Sequence, residues 1–356
     1  MRRMDDGNGW IVTYADMQAL VGRLGLAVNP LGVIAGQVPR PSDSLEKEWS
    51  QYSAGEQEML RAMFTNLYSP RQIMQLTWTV GDVVFQYSTL FWGATPSDEI
   101  VWLTRAGKEK YYQLQTVTAE EVSRLLTDLV GAASLSDDNS NQSLPAAALL
   151  GLLGASEVMK QRYHQSMLNH QTIELSFNSE QVQSIMAEAS QIDARWLLCF
   201  WEKTLPIDMA GLVAQVNDVL PQLVQAGWIQ PAATGNFQFT EAGWLLVEEM
   251  LNEKAKLAIT IATTDGEDTL IQETILLVRG PQGLWIFSLN GDQGGVGRIG
   301  NSGWAALIEA LFSPPLVSEV KANPSSNSGM QLRFCTQCGA SIVPGGQFCS
   351  SCGKAL

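Results

Sequence analysis

The stretch LTWTVGDVVFQYSTLFWG (residues 76–93) decides the fold, because a second stretch, LAITIATTDGEDTLIQETILLVRG (257–280), repeats its pattern in the other half of the chain. In both, an apolar residue stands at every second position of the opening segment, which is typical of a strand with one buried face. These positions are Leu76, Trp78 and Val80 in the first copy and Leu257, Ile259 and Ile261 in the second. Another apolar segment follows, so each stretch predicts two consecutive strands.

The likeness continues towards the C-terminal end of both copies. A third strand is centred on Trp102 or Ile286, a turn follows at Gly107 or Gly291, and an amphipathic helix closes each copy. The apolar positions of this helix correspond in pairs that are 182 residues apart, namely Val122 with Trp304, Leu125 with Leu307, Leu126 with Ile308 and Leu129 with Leu311. Such an ordered series indicates an internal duplication.

Two helices precede the strands in each copy, and capping residues mark their ends. We predict that the first helix ends at Gly25 or Gly227, because glycine readily adopts the left-handed conformation of a C-cap. The second begins after Ser53 or Thr240, whose hydroxyls suit an N-cap. Glu56, the third residue after Ser53, completes a capping box. Each copy is therefore predicted to run helix, helix, β-meander, helix.

The segment between the copies predicts a polar loop (131–143), a long helix (144–170), a strand (172–177) and further helices. We therefore predict an α+β fold, in which two pseudo-symmetric helix–helix–β-meander–helix halves form antiparallel sheets with flanking helices. The predicted domains are the first half (1–131), a loop with connecting helices (132–205), the second half (206–316), a flexible linker (317–333) and a small zinc ribbon (334–356).

The last residues of the chain have the spacing of a metal site. Cys335 and Cys338 form one Cys-x2-Cys pair, and Cys349 and Cys352 form another, ten residues further on. Four thiolates at this spacing complete the tetrahedral coordination of one structural Zn²⁺ ion, with no open position for a substrate. So short a segment folds only with its metal. Two disulfides are the competing interpretation, and they would need an oxidising compartment.

The pattern of residues 334–356, FCTQCGASIVPGGQFCSSCGKAL, resembles the short zinc ribbon at the ends of many bacterial proteins. This resemblance implies an interaction or assembly module. The polar sequence NPSSNSG (323–329) precedes it and predicts a flexible tether.

The chain carries a net charge of −14, and this charge is unevenly distributed. Residues 321–356 contain three basic residues and no acid, so this tail carries +3 and residues 1–320 carry −17. We expect the acidic body not to bind nucleic acid, which requires a basic surface. No signal peptide is evident at the N-terminus, and the most apolar stretch (144–155) is too short to span a bilayer. Thiolate ligands suit a reducing compartment, so we expect a cytoplasmic protein without a membrane span.

Motifs for catalysis are scarce. Gly295-x-Gly297-x-x-Gly300 matches a dinucleotide-binding pattern, but no parallel strand follows its helix, and a loop is the preferred interpretation. His164 and His170 do not share a helix face, and Cys199 is predicted to be a buried thiol. We therefore expect no enzyme, no catalytic or cofactor-binding residues and no small-molecule substrate.

Residues 218–243 resemble half of a winged helix, with a helix, a short hairpin and the start of a second helix. Residues 206–250, however, contain no Lys or Arg. A recognition helix without basic residues does not hold phosphates, so we interpret this unit as packing or protein binding.

The order of elements in the body resembles the EspG family, the cytosolic chaperones of type VII (ESX) secretion. The likeness is carried by LYSPRQIMQLTWTV (67–80), WLTRAG (102–107) and VTAEEVSRLLTDLV (117–130), and in the second half by LAITI (257–261), LWIFSLNGD (284–292) and WAALIEALF (304–312). The zinc ribbon is a departure from the family pattern. The resemblance implies two related halves and a protein client, and it assigns no functional residues.

We predict a non-enzymatic protein-binding adaptor or chaperone, with the tethered zinc ribbon as a second interaction module. Its clients would be helical proteins of the secretion type. The high tryptophan count supports a protein-binding surface, because aromatic anchors dominate interface energies. The alternative is a winged-helix transcriptional regulator that uses the ribbon to contact nucleic acid or polymerase. An enzyme with an unrecognised site is the third hypothesis.

Overall fold

A computed structural model describes most of the chain outside the C-terminal tail. The described residues are 1–4, 9–29, 31–33, 49–80, 83–93, 99–106, 111–132, 135, 138–188, 197–198, 200, 209–264, 270–290, 293–312, 333–334 and 341–342. The predicted turns at Gly107 and Gly291 and the linker residues 317–332 lie outside them.

The strands are β1 (Arg2–Arg3), β2 (Gly9–Thr13), β3 (Gln72–Val80), β4 (Val83–Trp92), β5 (Glu99–Ala106), β6 (Tyr111–Thr118), β7 (Ser140–Pro145), β8 (Ser176–Phe177), β9 (Ile229–Pro231), β10 (Phe237–Phe239), β11 (Ala255–Thr264), β12 (Leu270–Arg279), β13 (Leu284–Asn290), β14 (Gln293–Ile299), β15 (Arg333–Phe334) and β16 (Ser341–Ile342). The helices are α1 (Tyr14–Leu24), α2 (Ala54–Tyr68), α3 (Ala119–Val130), α4 (Ala146–Asn169), α5 (Ser179–Glu188), α6 (Met209–Ala214), α7 (Val216–Gln225), α8 (Glu241–Leu251) and α9 (Asn301–Phe312).

One antiparallel sheet organises the body. Its strand order is β1-β2-β6-β5-β4-β3-β11-β12-β13-β14-β7, so the two predicted meanders lie side by side and meet through their first strands. The predicted α+β fold with antiparallel strands is confirmed. At the centre, Thr77 of β3 lies opposite Ala258 of β11. The four strands of the first meander follow in chain order on one side of this pair, and the four strands of the second meander follow in chain order on the other side. That the two halves are a duplicated unit stays a prediction.

Helices cover both faces of the sheet. On the front face, α1 and α2 pack over the first meander, and α4, α5, α7 and α8 pack over the second. On the back face, α3 and α9 pack over the central strands. Alternation along each strand divides the side chains between the faces, as Leu257 and Ala258 show: the first contacts the back core and the second the front core.

The predicted helix ends are largely confirmed. Gly25 has φ 61° and ends α1, and Gly227 has φ 81° just after α7. The Ser53 hydroxyl accepts a hydrogen bond from the backbone N–H of Glu56, whose carboxylate accepts from the backbone N–H of Ser53. This reciprocal pair is the predicted capping box. Thr240 caps α8.

The sequence prediction was wrong about the connecting segment in two places. The polar loop predicted over 131–143 contains the start of β7, which pairs with β14 along its whole length. A run of Ser, Asn and Gln has low strand propensity, so long-range pairing outweighs local preference here. The strand predicted over 172–177 is reduced to Ser176–Phe177, because the Arg162 side chain binds the carbonyl oxygens of Glu174 and Ser176 and holds this segment against α4.

Two glycines of the dinucleotide-binding pattern also lie elsewhere than expected. Gly295 and Gly297 belong to β14, not to a loop. A Cβ atom at Gly297 would lie 1.9 Å from the carbonyl oxygen of Ser140, so the close approach of β7 requires glycine at this position. These glycines serve strand packing within an antiparallel pair.

Candidate protein-binding surface

The tryptophans separate into buried and half-buried groups. Trp196 and Trp201 lie outside the described residues. Six of the others are buried, namely Trp10, Trp49, Trp78, Trp228, Trp285 and Trp304. Trp92, Trp102 and Trp244 remain half-buried. Most tryptophan therefore serves the core, as the sequence suggested. Of the two half-buried strand tryptophans, Trp92 and Trp102, the second adjoins other half-buried strand residues, although its indole nitrogen is itself buried.

Trp102 lies in β5 on the back face, opposite Leu90 of β4 and Gln115 of β6. Neighbouring strands add further side chains to this face, because directly opposed residues of an antiparallel pair point to the same side. We name the resulting patch the tryptophan surface, and it consists of Ile11, Trp102, Thr104, Tyr111, Gln113 and Gln115. Five of these side chains are half-buried, and Tyr111 is 42% exposed.

The two faces of β2, β5 and β6 differ sharply in burial. On the front face, Trp10, Val12, Val101, Leu103 and Leu114 are buried in the core under α1 and α2. On the back face, α3 begins directly after β6, and the core beneath it buries Ile100 of β5 and Val117 of β6, with half-buried Trp102 packed against it. Beyond Trp102 the back face opens, and exposure rises towards Tyr111.

The tryptophan surface carries no charged side chain. It combines an indole, a phenol and an isoleucine with two amides and a hydroxyl, spread over three hydrogen-bonded strands. Arg2 lies opposite Ile11 at the edge and is exposed. Aromatic residues in an uncharged patch are typical of the centre of a protein interface, and here the paired strands fix the backbone before binding.

A second exposed apolar group lies at the end of α4. Met167 is 59% exposed, Leu168 80% and Leu175 50%. Met167 and Leu168 occupy the last turn, and Leu175 follows in the segment that Arg162 holds. These residues are scattered on a helix end and adjoin polar neighbours, so we treat this α4 tip as the competing docking surface.

A buried charged cluster lies in the front core. The Nζ atoms of Lys160 and Lys256 lie 3.2 and 2.5 Å from Oε1 of Glu253. Glu157 accepts a hydrogen bond from the backbone N–H of Leu197 at 2.5 Å. The cluster joins α4 to β11 and to the residues after α8, and both Glu157 and Lys256 are nearly inaccessible to solvent.

Burial dominates the titration of this cluster. It raises the pKa of Glu157, an effect that the positive charge of Lys160 opposes. It also lowers the pKa of Lys256, and Glu253 opposes that change. Perturbed carboxylates can mark an active site. Here Glu253 pairs with both lysines and Glu157 bonds the backbone N–H of Leu197, so we interpret the cluster as a structural link between α4 and the sheet.

The four predicted zinc ligands, Cys335, Cys338, Cys349 and Cys352, lie outside the described residues, as does Cys199. The nearest described elements are β15 and β16, which pair with each other. This pairing brings together the two ends of the segment that contains the first cysteine pair. The zinc site itself remains a prediction. Arg333, assigned to the linker, begins β15.

The remaining candidates occupy separate places. His164 lies on α4 and His170 caps its end with φ 53°, and both are exposed. Within the described part of the chain, no group of three or more His, Cys, Asp or Glu side chains is suited to holding a metal ion. The winged-helix pattern corresponds to α7, the β9–β10 hairpin and α8, with β8 added to the hairpin.

No known protein family matches the sequence, and no curated protein matches it. A solved structure that the chain resembles is the Mycobacterium tuberculosis type VII secretion system chaperone EspG5 in complex with PE25-PPE41 dimer. The TM-score is 0.42 at 11% sequence identity, and the match covers 85% of this chain and 96% of that chain.

Across the described residues, no helix combines the length and the apolar character needed to cross a membrane.

Proposed function

We propose that the protein is a non-enzymatic adaptor or chaperone that binds a protein client on the tryptophan surface. The observation that carries this proposal is the open back face of β2, β5 and β6, where Trp102 and Tyr111 stand among uncharged side chains. The net charge of −14 keeps the protein in solution, and an uncharged patch with aromatic side chains does not contribute to this effect. Such a patch is typical of a protein-binding site.

The class of client follows from the chemistry of the patch and from the sequence. A sheet face with an indole, a phenol and two amides fits the apolar face of a helix, whose flanking polar residues can form hydrogen bonds with Gln113 and Gln115. The sequence resemblance to EspG chaperones supports a helical client of the secretion type. The cytoplasm is the proposed location, and the zinc ribbon is proposed to contact a second component.

A pull-down of the full-length protein from its own cytosol tests this proposal. We expect the wild type to retain a helical protein that the Tyr111→Lys/Gln115→Lys variant does not retain, because each lysine would be desolvated beneath the client. Deleting residues 321–356 should release a different partner. Retention of the same client by the variant would contradict the assignment of the surface.

The regulator is the alternative, and the observed order of α7, β9, β10 and α8 is what favours it. Phosphate contacts would have to come from elsewhere, since residues 209–250 contain no Lys or Arg. Salt-dependent binding of duplex DNA by the wild type would favour the regulator, and the absence of binding at low salt would dismiss it.

A further inference from the structure

β7 forms one edge of the large sheet. Its six residues pair with β14 from Ser140 opposite Arg298 to Pro145 opposite Gln293. Within the described part of the chain, no strand pairs with its other side. The outer N–H and C=O groups of such a strand form a template for another strand.

The opposite edge of the sheet is protected against strand addition. β1 is only two residues long, and both residues are exposed arginines. Arg3 also forms an ion pair with Glu56 at 3.4 Å. Short length and charge are the usual means of blocking an edge, and β7 has neither: it is longer, and Asn141 and Ser143 are exposed but uncharged.

We propose that β7 pairs antiparallel with β7 of a second copy of this chain, about a twofold axis perpendicular to the sheet. A second copy presents the same long, uncharged edge, whereas its β1 edge is too short and too charged to serve as a partner. Because β7 has no charged side chain, self-pairing places no like charges opposite one another.

The geometry of the ladder selects the register. Directly opposed residues of an antiparallel pair point to the same face of the sheet, whereas neighbouring residues of one strand point to opposite faces. The two copies of β7 can therefore pair only if one residue lies on the twofold axis, opposite the same residue of the second copy. An axis at Ser143 would bring Pro145, which has no N–H to donate, opposite Asn141. An axis at Asn141 would pair only three residues of β7, 140–142, and would bring the charged Asp138 opposite the apolar Leu144. The structure therefore favours Gln142 on the axis.

This register pairs Asn141 with Ser143 of the second copy and Ser140 with Leu144 of the second copy. β14, the neighbour of β7 within the sheet, has Gly295 opposite Ser143 and Gly297 opposite Asn141 on the back face. No bulky side chain of β14 therefore hinders the approach of the second copy on that face. The tryptophan surface belongs to β2, β5 and β6, at the other end of the sheet. A dimer through β7 would keep both tryptophan surfaces open, and its existence does not depend on the proposed client.

Sedimentation equilibrium of the zinc-loaded full-length chain tests the pairing. We expect a monomer–dimer equilibrium in the wild type. The Asn141→Lys/Ser143→Lys variant should raise the dimer Kd roughly tenfold or more, because two lysine pairs would face each other across the ladder. The Gln165→Lys/Asn169→Lys variant adds the same charge on the exposed end of α4 and should leave the Kd unchanged.

A charge-complementary mixture fixes the register. The lysine variant mixed with Asn141→Glu/Ser143→Glu should form a heterodimer more tightly than either variant alone, because each lysine then faces a glutamate. A wild type that stays monomeric at high concentration would overturn the proposal. A dimer that the β7 lysine pair does not weaken, in a variant with unchanged circular dichroism, would also overturn it.

Discussion

The indole N–H of Trp304 donates a hydrogen bond to the hydroxyl of Thr127, 3.1 Å away. Trp304 belongs to α9, which closes the second meander, and Thr127 belongs to α3, which closes the first. The Thr127 hydroxyl in turn donates to the carbonyl oxygen of Ser123 at 2.7 Å. One short chain of hydrogen bonds therefore joins the two helices of the back face.

We expect Trp304→Phe and Thr127→Val each to lower the free energy of unfolding, and the hydrogen bond itself to contribute about 1 kcal/mol. Trp304→Phe costs more than this because a smaller ring leaves a cavity. Urea unfolding of both single variants and the double variant forms a thermodynamic cycle. Both substitutions remove the same hydrogen bond, so the double variant should lose less free energy of unfolding than the two single variants lose together. Simple additivity would show that the bond does not couple the helices.

Gly297 tests whether β14 needs glycine for its pairing with β7. We expect Gly297→Ala to lower the free energy of unfolding by about 1–3 kcal/mol, because the new methyl group would collide with the carbonyl oxygen of Ser140. Thermal or urea unfolding measures this loss. If Gly297→Ala is as stable as the wild type, the close approach of the two strands is wrong.

Gly55 provides the matched control. It lies in the first turn of α2, and a Cβ atom there would meet nothing within 4 Å. We expect Gly55→Ala to raise the free energy of unfolding by up to about 1 kcal/mol, because alanine has the higher helix propensity. The opposite signs of the two substitutions distinguish a steric requirement from a general effect of replacing glycine.

The elements that the sequence predicted well are those whose residues carry a local signal. The alternation at Leu76–Trp78 and the capping pair Ser53–Glu56 depend on neighbours in the chain, and the strand and the helix start that they predict are confirmed. The one-sided burial predicted for this strand is wrong, because helices cover both faces of β3. The sequence did not predict β7, because this segment forms a strand only by pairing with β14, more than a hundred residues further along the chain. Long-range pairing of this kind leaves no mark in local composition.

The sequence predicted that an aromatic surface exists but not which residues form it. Tryptophans on strands suggested an aromatic patch, but the sequence does not say which of them a helix covers. The distinction between buried Trp10 and half-buried Trp102 arises from the paths of α1, α2 and α3 over opposite faces of the sheet. The buried cluster of Glu157, Lys160, Glu253 and Lys256 had no sequence signal either, because its members come from separate elements.

Glu157 predicts a characteristic dependence of stability on pH. Burial raises the pKa of its carboxyl in the folded state above the ordinary value of 4.5. The protonated carboxyl therefore favours folding, and this contribution is fully present below the unfolded pKa and is lost as the pH rises through the folded pKa. Glu157→Gln keeps an oxygen for the Leu197 N–H and cannot ionise.

Urea unfolding at a series of pH values compares the wild type with Glu157→Gln. We expect the difference in free energy of unfolding, variant minus wild type, to grow as the pH rises above about 4.5 and then to level off. Glu174→Gln, which removes an exposed carboxylate, serves as the control and should show little change. A Glu157 difference that grows towards acid pH would contradict a raised pKa.

The zinc ribbon predicts a metal effect that is confined to the tail. We expect one Zn²⁺ per chain by elemental analysis, and its loss in Cys335→Ser/Cys349→Ser because half of the thiolate ligands would be missing. Deleting residues 321–356 should leave the melting temperature of the body unchanged. A large fall in that temperature would contradict an independent tail. Thiols that react only after reduction, with no bound zinc, would favour the two disulfides.

The central claim is that the client binds on the tryptophan surface, and a calorimetric titration of the recovered client tests it most directly. The compared proteins are the wild type, Tyr111→Lys/Gln115→Lys, the β7 variant Asn141→Lys/Ser143→Lys and the α4-tip variant Leu168→Ser. We predict that only the first variant weakens binding, by a factor of a hundred or more if both lysines lie at the centre of the interface, since each central substitution costs about 2 kcal/mol. Unchanged affinity in that variant, or a loss confined to Leu168→Ser, would contradict the claim.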